Sequence, residues 1–285
     1  FPIFYLARFH PLALFYFLVF VDIGTVFLNY YVVKKVFNEK TALLSTLFLS
    51  LSPLVLTFNR VSGFYNFVIP LTYVLLLFLY KVLHKRSFPY WPIFLIVGLM
   101  INLHASSLVL IPFFIGLGIY LKKFSKSNVI SSITAFFIPN IPFFIKDYFS
   151  GFSMSQNLLL WIPYKILNFF SGKTLGVSRV QVQDETLANI INFFKTTILP
   201  LQYSLVFGVI IIGLLLLFFL LKKNPLFIRI LYFWLFFGIV TLLIHKNPPI
   251  HYFVPILILP IILITNIINE LQKKRKMRMV ALGVI

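Results

Sequence analysis

The sequence predicts an all-α fold, a polytopic transmembrane helix bundle of about nine spans with one external loop carrying amphipathic helices. Three observations carry that prediction. Hydrophobic residues make up 60% of the 285 positions, and charged residues only 11%, where a soluble domain is nearer half apolar and about a quarter charged. Mean hydropathy is +0.99. Apolar runs long enough for membrane helices recur along the chain, and they do not alternate apolar with polar as strands of a membrane barrel would.

The runs place spans near 11–33, 41–58, 64–80, 91–103, 105–121, 128–147, 198–221, 226–244 and 251–270. Basic clusters fall at alternate span ends: Lys34, Lys35 and Lys40; Lys81, Lys85 and Arg86; Lys122, Lys123 and Lys126; Lys222, Lys223 and Arg229; and "KKRKMR" from Lys273. With nine spans all five lie on one side, which holds 17 of the 25 Lys and Arg residues. The positive-inside rule makes that side cytoplasmic. The net charge of +19 is therefore a topology signal, aided by anionic lipid head groups. No separate basic domain suggests a nucleic-acid partner. No tandem repeat or composition shift divides the chain, so residues 1–285 read as a single integral membrane domain. The opening "FPIFYLARFH" has neither Met nor a signal-peptide pattern and reads as a segment whose natural N-terminus lies upstream. With no cysteine, disulfides and thiol nucleophiles are excluded.

This orientation puts most polar chemistry on the external side. His10, His104, His245 and His251 all fall at external span ends, as do Arg60, Asn66, Lys146, Asp147 and Lys246. Interfacial residues at span ends need no function; as a set they would line one external cavity. The run 91–103 is short for a span and would form a hairpin with 105–121 at "NLHAS", setting His104 at or below the outer surface. An imidazole there could donate to a phosphate or sugar hydroxyl. Asp22, in "FVDIGTVF", lies mid-span. Such a carboxylate marks either function or a specific packing partner, and Gly24 and Thr25 beside it suit close helix contact.

The external segment of about 148–197 carries two amphipathic patterns. "NLLLWIPYKILNFF" presents Trp161 and Tyr164 among apolar neighbours, as interfacial segments do. "DETLANIINFFKTT" opens with Asp184 and Glu185, then spaces Leu187, Ile190, Ile191 and Phe194 on one helical face. Helices of this kind would lie across the mouth of the bundle as covers or gates. No Walker loop, Rossmann glycine pattern, HExxH or GxSxG motif is present.

Several stretches in order resemble a known family. "FLNYYVVKKVFNEKTALLSTLFLSLSPLVLTFNRVSGFYNFVIPLTYVLLLFLYKVL" resembles the middle of bacterial polytopic glycosyltransferases of the dolichyl-phosphate-mannose protein mannosyltransferase-like group. There a span ends in a basic turn, and the next ends in "LSP" before an external Arg and Asn; here these are Ser52-Pro53, Arg60 and Asn66. "GLMINLHASSLVLIPF", "FIPNIPFFIKDYFSGFSMSQN" with Asp147, and "HYFVPILILPIILI" resemble later elements in the same order. The sequence departs at "HAS", where relatives often carry "HYT". The resemblance covers most of residues 20–265.

That resemblance implies a type C glycosyltransferase using a polyprenyl-phosphate sugar at the external face of the cell membrane, in the cell envelope, usually with inversion at the anomeric carbon. The acceptor would be a lipid, glycan or protein. The donor-binding candidates are Arg60, Asn66, His104, Lys146 and Asp147; Arg60, His104 and Asp147 match family pattern positions. The family's catalytic acid lies in the first external loop, expected upstream of residue 1, so no catalytic residue is assigned. Physically, Arg60, Lys146 or His104 would stabilise charge on the leaving phosphate, and a carboxylate would deprotonate the acceptor. A divalent metal would help with the phosphate, but no ligand set stands out and the cofactor is unknown. Of the six acids, Asp22, Glu39, Asp147, Asp184, Glu185 and Glu270, none is a good base at the expected place, so this stretch alone is not expected to perform transfer. Two rivals remain: a polytopic transporter or flippase, which would favour paired repeats and broken helices, and a non-catalytic scaffold, which would need no external Arg/His/Asp set.

Overall fold

The structure, a computed structural model, describes residues 12–60, 63–85, 87–157, 179–198, 205–221, 224–245 and 248–273, with 8, 10, 159, 160 and 163; the side chains of 14, 60, 64, 65, 179–185, 205, 221, 244 and 245 lie outside that description. Trp161, Tyr164, Lys246 and the basic residues beyond Lys273, named above from the sequence, lie outside the described residues, as do Lys222, Lys223 and Arg86. What is described is an all-α helical bundle.

Twelve α-helices are labelled here in chain order: α1 Ala13–Val36, α2 Glu39–Leu51, α3 Pro53–Arg60, α4 Val68–His84, α5 Trp91–Leu103, α6 Leu110–Tyr120, α7 Lys126–Phe137, α8 Ile141–Phe149, α9 Arg179–Ile198, α10 Leu205–Leu221, α11 Leu226–His245 and α12 Ile258–Lys273. Short 3₁₀ turns occupy Phe64–Phe67, Ala105–Val109, Ile138–Asn140 and Ile250–Ile256. Among the described residues, three helical stretches are long and apolar enough to cross a bilayer, Phe15–Val36, Lys126–Phe149 and Leu226–Leu243; two bent pairs would raise this to five, and four further apolar helices are shorter.

Several expected spans are broken, and each break has a local cause. The run 41–58 bends by 58° between α2 and α3. Pro53 begins α3 without an N–H to give, and Ser52 caps it, its Oγ accepting from the Val55 N–H at 3.4 Å. The run 105–121 opens as a 3₁₀ turn. The run 251–270 bends by 55° after a 3₁₀ segment holding Pro255. Helix α7 passes through a 3₁₀ turn into α8 at Pro139 and Pro142. Within the expected span 198–221 the described helix is α10, Leu205–Leu221, while Ile198 is the last described residue of α9.

Close contacts hold the bundle. A Cβ on Gly98 of α5 would meet Phe136 O at 2.6 Å and Pro139 Cγ at 2.9 Å, so only glycine lets α5 and α7 approach this far. Asn102 seals the same seam, donating to Pro139 O at 3.0 Å and Asn140 Oδ1 at 2.9 Å. Asn29 of α1 meets Ser45 and Thr46 of α2. Helix α12 is buried along most of its length.

Helix α9 buries Thr186, Ile190, Phe193, Phe194, Thr197 and Ile198, packing on α3, α10, α12 and the 250–256 turn. This rotates the expected apolar face: Leu187 is exposed and Phe193 is fully buried. The cause is that α9 is wedged between neighbours on two sides, and Phe193 stacks on Phe253 at 4.6 Å. The side chains of Asp184 and Glu185 lie outside the described set.

Candidate functional site

Five candidate residues fall into distinct local settings. The first lies beside the α2–α3 bend. Asp22, Thr25, Ser50, Asn59 and Asn66 line a cavity of about 320 Å³, and apolar side chains of α1, α2, α3 and α4 complete its walls. Antiparallel pairing of α1 with α2 brings Asp22 opposite Ser50, in the same register that joins Asn29 to Ser45. The bend swings Asn59 over this space. Asn66, in the 3₁₀ turn before α4, is buried. Arg60 is the last residue of α3, next to Asn59; its side chain is among those not described.

Asp22 is half-buried. Among the described residues it has neither a hydrogen bond nor an ion pair; the ion pairs there are Lys34–Glu39 and Lys273–Glu270. Thr25 on the next turn bonds back to Val21 O at 2.7 Å, so its hydroxyl serves the helix.

The second setting holds His104, in the turn between α5 and the 105–109 segment. Its Nδ1 accepts from the Ser106 N–H at 3.2 Å and lies 2.6 Å from Ser106 Oγ. An Nδ1 that accepts a backbone N–H carries no proton itself, which assigns the ring hydrogen to Nε2. The ring packs edge-on against His251 at 5.3 Å and Tyr252 at 5.6 Å between centroids. Burial, and then the nearby His251, push its pKa down to about 4. His104 is thus a neutral, oriented imidazole at pH 7. Sequence reasoning placed His251 on the same side but did not foresee this pairing, and it missed Tyr252 altogether; the two come from a turn 147 positions away in the chain, and no local pattern joins them.

The third setting is Asp147, fully buried. Its Oδ1 accepts from the Met154 N–H at 2.8 Å and its Oδ2 from the Ser155 N–H at 2.9 Å, with the Ser150 hydroxyl 3.3 Å from Oδ1. The chain loops back through Gly151 and Phe152, at φ 69° and 61°, and the carboxylate clasps it. Such a carboxylate has its acceptor capacity largely spent within its own loop. Lys146 is exposed, as expected for helix neighbours that face apart. The structure therefore brings Asn66 together with Asp22, His104 together with His251, and Asp147 together with its own loop. Among the described residues no group of three or more His, Asp or Glu could hold a metal ion.

Apolar helices long enough to cross a bilayer mark a multi-pass membrane protein. A family model for dolichyl-phosphate-mannose-protein mannosyltransferase matches residues 3–145. That stretch is just over half of the chain and contains the bend, the cavity, His104 and the start of α8, and the chain belongs to this glycosyltransferase family. No curated protein and no solved structure matches it.

Proposed function

We propose that the protein is a membrane glycosyltransferase that takes a sugar from a polyprenyl-phosphate donor and passes it to a glycan, lipid or protein acceptor on the external face of the cell membrane. The observation that carries this reading is the family match across the α2–α3 bend, where Arg60 ends α3 beside the cavity that Asp22, Asn59 and Asn66 help to line. The donor's tail stays in the bilayer, its phosphate sits at Arg60, and Asn66 faces the sugar side. In the reaction the bond from the anomeric carbon to the phosphate oxygen breaks as a bond to the acceptor oxygen forms. The acceptor's proton passes to a carboxylate base, to which no residue of this chain is assigned. Negative charge grows on the departing phosphate, and a guanidinium there stabilises it. His104, with a fixed ring and an Nε2–H donor, suits a second contact to a phosphate or hydroxyl. Lys146, exposed beside the loop, suits a peripheral cation for the same anion. Asp147 contributes by holding that loop in shape.

The test is donor retention by the purified, liposome-reconstituted chain, using radiolabelled polyprenyl-phosphate mannose. Retention well above that of an unrelated membrane protein, weakened by Arg60→Ala at equal folded yield, is expected. Equal retention by the two proteins would overturn the reading. Cysteines at 122, 184 and 273 test the face: an impermeant thiol reagent on intact cells should label only 184.

A further inference from the structure

We propose that the cavity between α1, the α2–α3 bend and the turn before α4 is a monosaccharide pocket, in which the Asp22 carboxylate and the Asn59 and Asn66 amides bind the ring hydroxyls of the transferred sugar. This rests on the glycosyltransferase reading above and deepens it. Four observations carry it.

The first is chemical. A carboxylate residue and two carboxamide residues belong to the lining of one cavity. Carboxylate oxygens only accept and amides both accept and donate, so together they match neighbouring hydroxyls, each of which does both. A phosphate would be a poor occupant beside Asp22, where two anions would meet. The second is size. About 320 Å³ lies at the lower end of small-molecule pockets, roughly 300–1,000 Å³. That suits one sugar ring and excludes an oligosaccharide or a folded prenyl chain.

The third is access. Ile23 and Leu56 line the cavity and are also exposed, at 49% and 43%. Its rim is therefore open at the surface of the bundle, and with these apolar helices in a bilayer a sugar whose tail remains in the membrane would enter sideways. The fourth is Asp22 itself. A carboxylate within a membrane helix is costly and normally partnered, yet among the described residues it has no hydrogen bond and no ion pair. Hydroxyl donors of a bound sugar would satisfy it. Arg60, one residue beyond Asn59, would then reach the phosphate that joins this sugar to its lipid.

The chain has no cysteine, so single cysteines report cleanly. Val26→Cys lies in the cavity wall; Phe27→Cys, one residue on and 70% exposed, is the control. Both are labelled with a membrane-permeant maleimide in liposomes, with polyprenyl-phosphate mannose, bare polyprenyl phosphate or free mannose present. Expected is slowed labelling at 26, and not at 27, by the lipid-linked sugar, with little effect of the bare carrier. Slowing by free mannose as well, at higher concentration, would support the pocket as one that reads the sugar ring itself. Equal slowing by the bare carrier and the lipid-linked sugar would overturn the proposal, because the space would then hold phosphate or tail. Donor retained by the protein with no change at 26 would overturn the pocket and leave the function standing; no donor retained at all would overturn both. In an active preparation, Asp22→Leu should raise the donor KM by roughly tenfold or more with Asp22→Asn intermediate, whereas a purely structural Asp22 would leave KM unchanged.

Discussion

Two carboxylates on membrane helices, Asp22 and Asp147, make opposite arrangements of the same group. Asp147 is fully buried, and both its oxygens accept backbone N–H groups of the following loop. Asp22 is half-buried, faces a cavity, and has no hydrogen-bond partner among the described residues. Depth of burial therefore does not rank them as sites. A carboxylate whose lone pairs are filled by its own chain holds the fold, whereas one that fronts open space is available to something else.

The largest expected effect breaks the clasp. Asp147→Ala would remove the acceptors of the Met154 and Ser155 N–H groups and should lower stability more than any other substitution named here. Thermal unfolding in detergent would show it as a clear fall in Tm, with Asp147→Asn falling less because one oxygen still accepts. An unchanged Tm in Asp147→Ala would erase the contrast.

Next is acidification. His104 has its pKa lowered in the fold to about 4, below the unfolded value of about 6.5. Its neutral form is thus favoured by folding, and the associated stability is complete above pH ~6.5 and lost as pH falls toward 4. Wild-type Tm should drop between pH 7 and 5, and His104→Gln should flatten that drop. A smaller effect of opposite sign is expected at Asp22: Asp22→Leu removes a costly polar group from the membrane region and should leave Tm level or raise it by about 1 kcal/mol equivalent. Destabilisation like that of Asp147→Ala would make the two carboxylates alike. The smallest effect belongs to Lys146→Ala, exposed and outside any ion pair among the described residues, which should stay within about 0.5 kcal/mol.

Much of this architecture could be read from residues alone, because a bilayer imposes a coarse and repetitive code. Apolar run length and alternating basic ends gave the helical class and the positions of most helices. The bend was not foreseen: 41–58 is expected as one span, although its "LSP" holds a capping Ser and a Pro with no N–H to donate, the local cause of the break. Other features needed the third dimension. The expected stripe on α9 was assigned from spacing alone, but the helix is packed on two sides and buries Phe193 in place of Leu187. The cavity at Asp22 needs four segments to meet, and Asp22 itself reads equally well in sequence as a packing residue. His104 meets His251 only because two turns coincide at one end of the bundle.

The bend at Ser52–Pro53 sets a depth as well as a direction. Helix α3 has eight residues, so continued straight it would carry Arg60 about 12 Å beyond the break. Tilted by 58°, it climbs only about 6 Å and travels about 10 Å sideways. The end of α3, at residue 60, is therefore kept about 6 Å below where a straight helix would carry it. A helix straightened by replacing Ser52-Pro53 with two alanines would raise the end of α3 by about the height of a helical turn, and on the proposed reading it would carry residue 60 away from a phosphate held at the membrane surface.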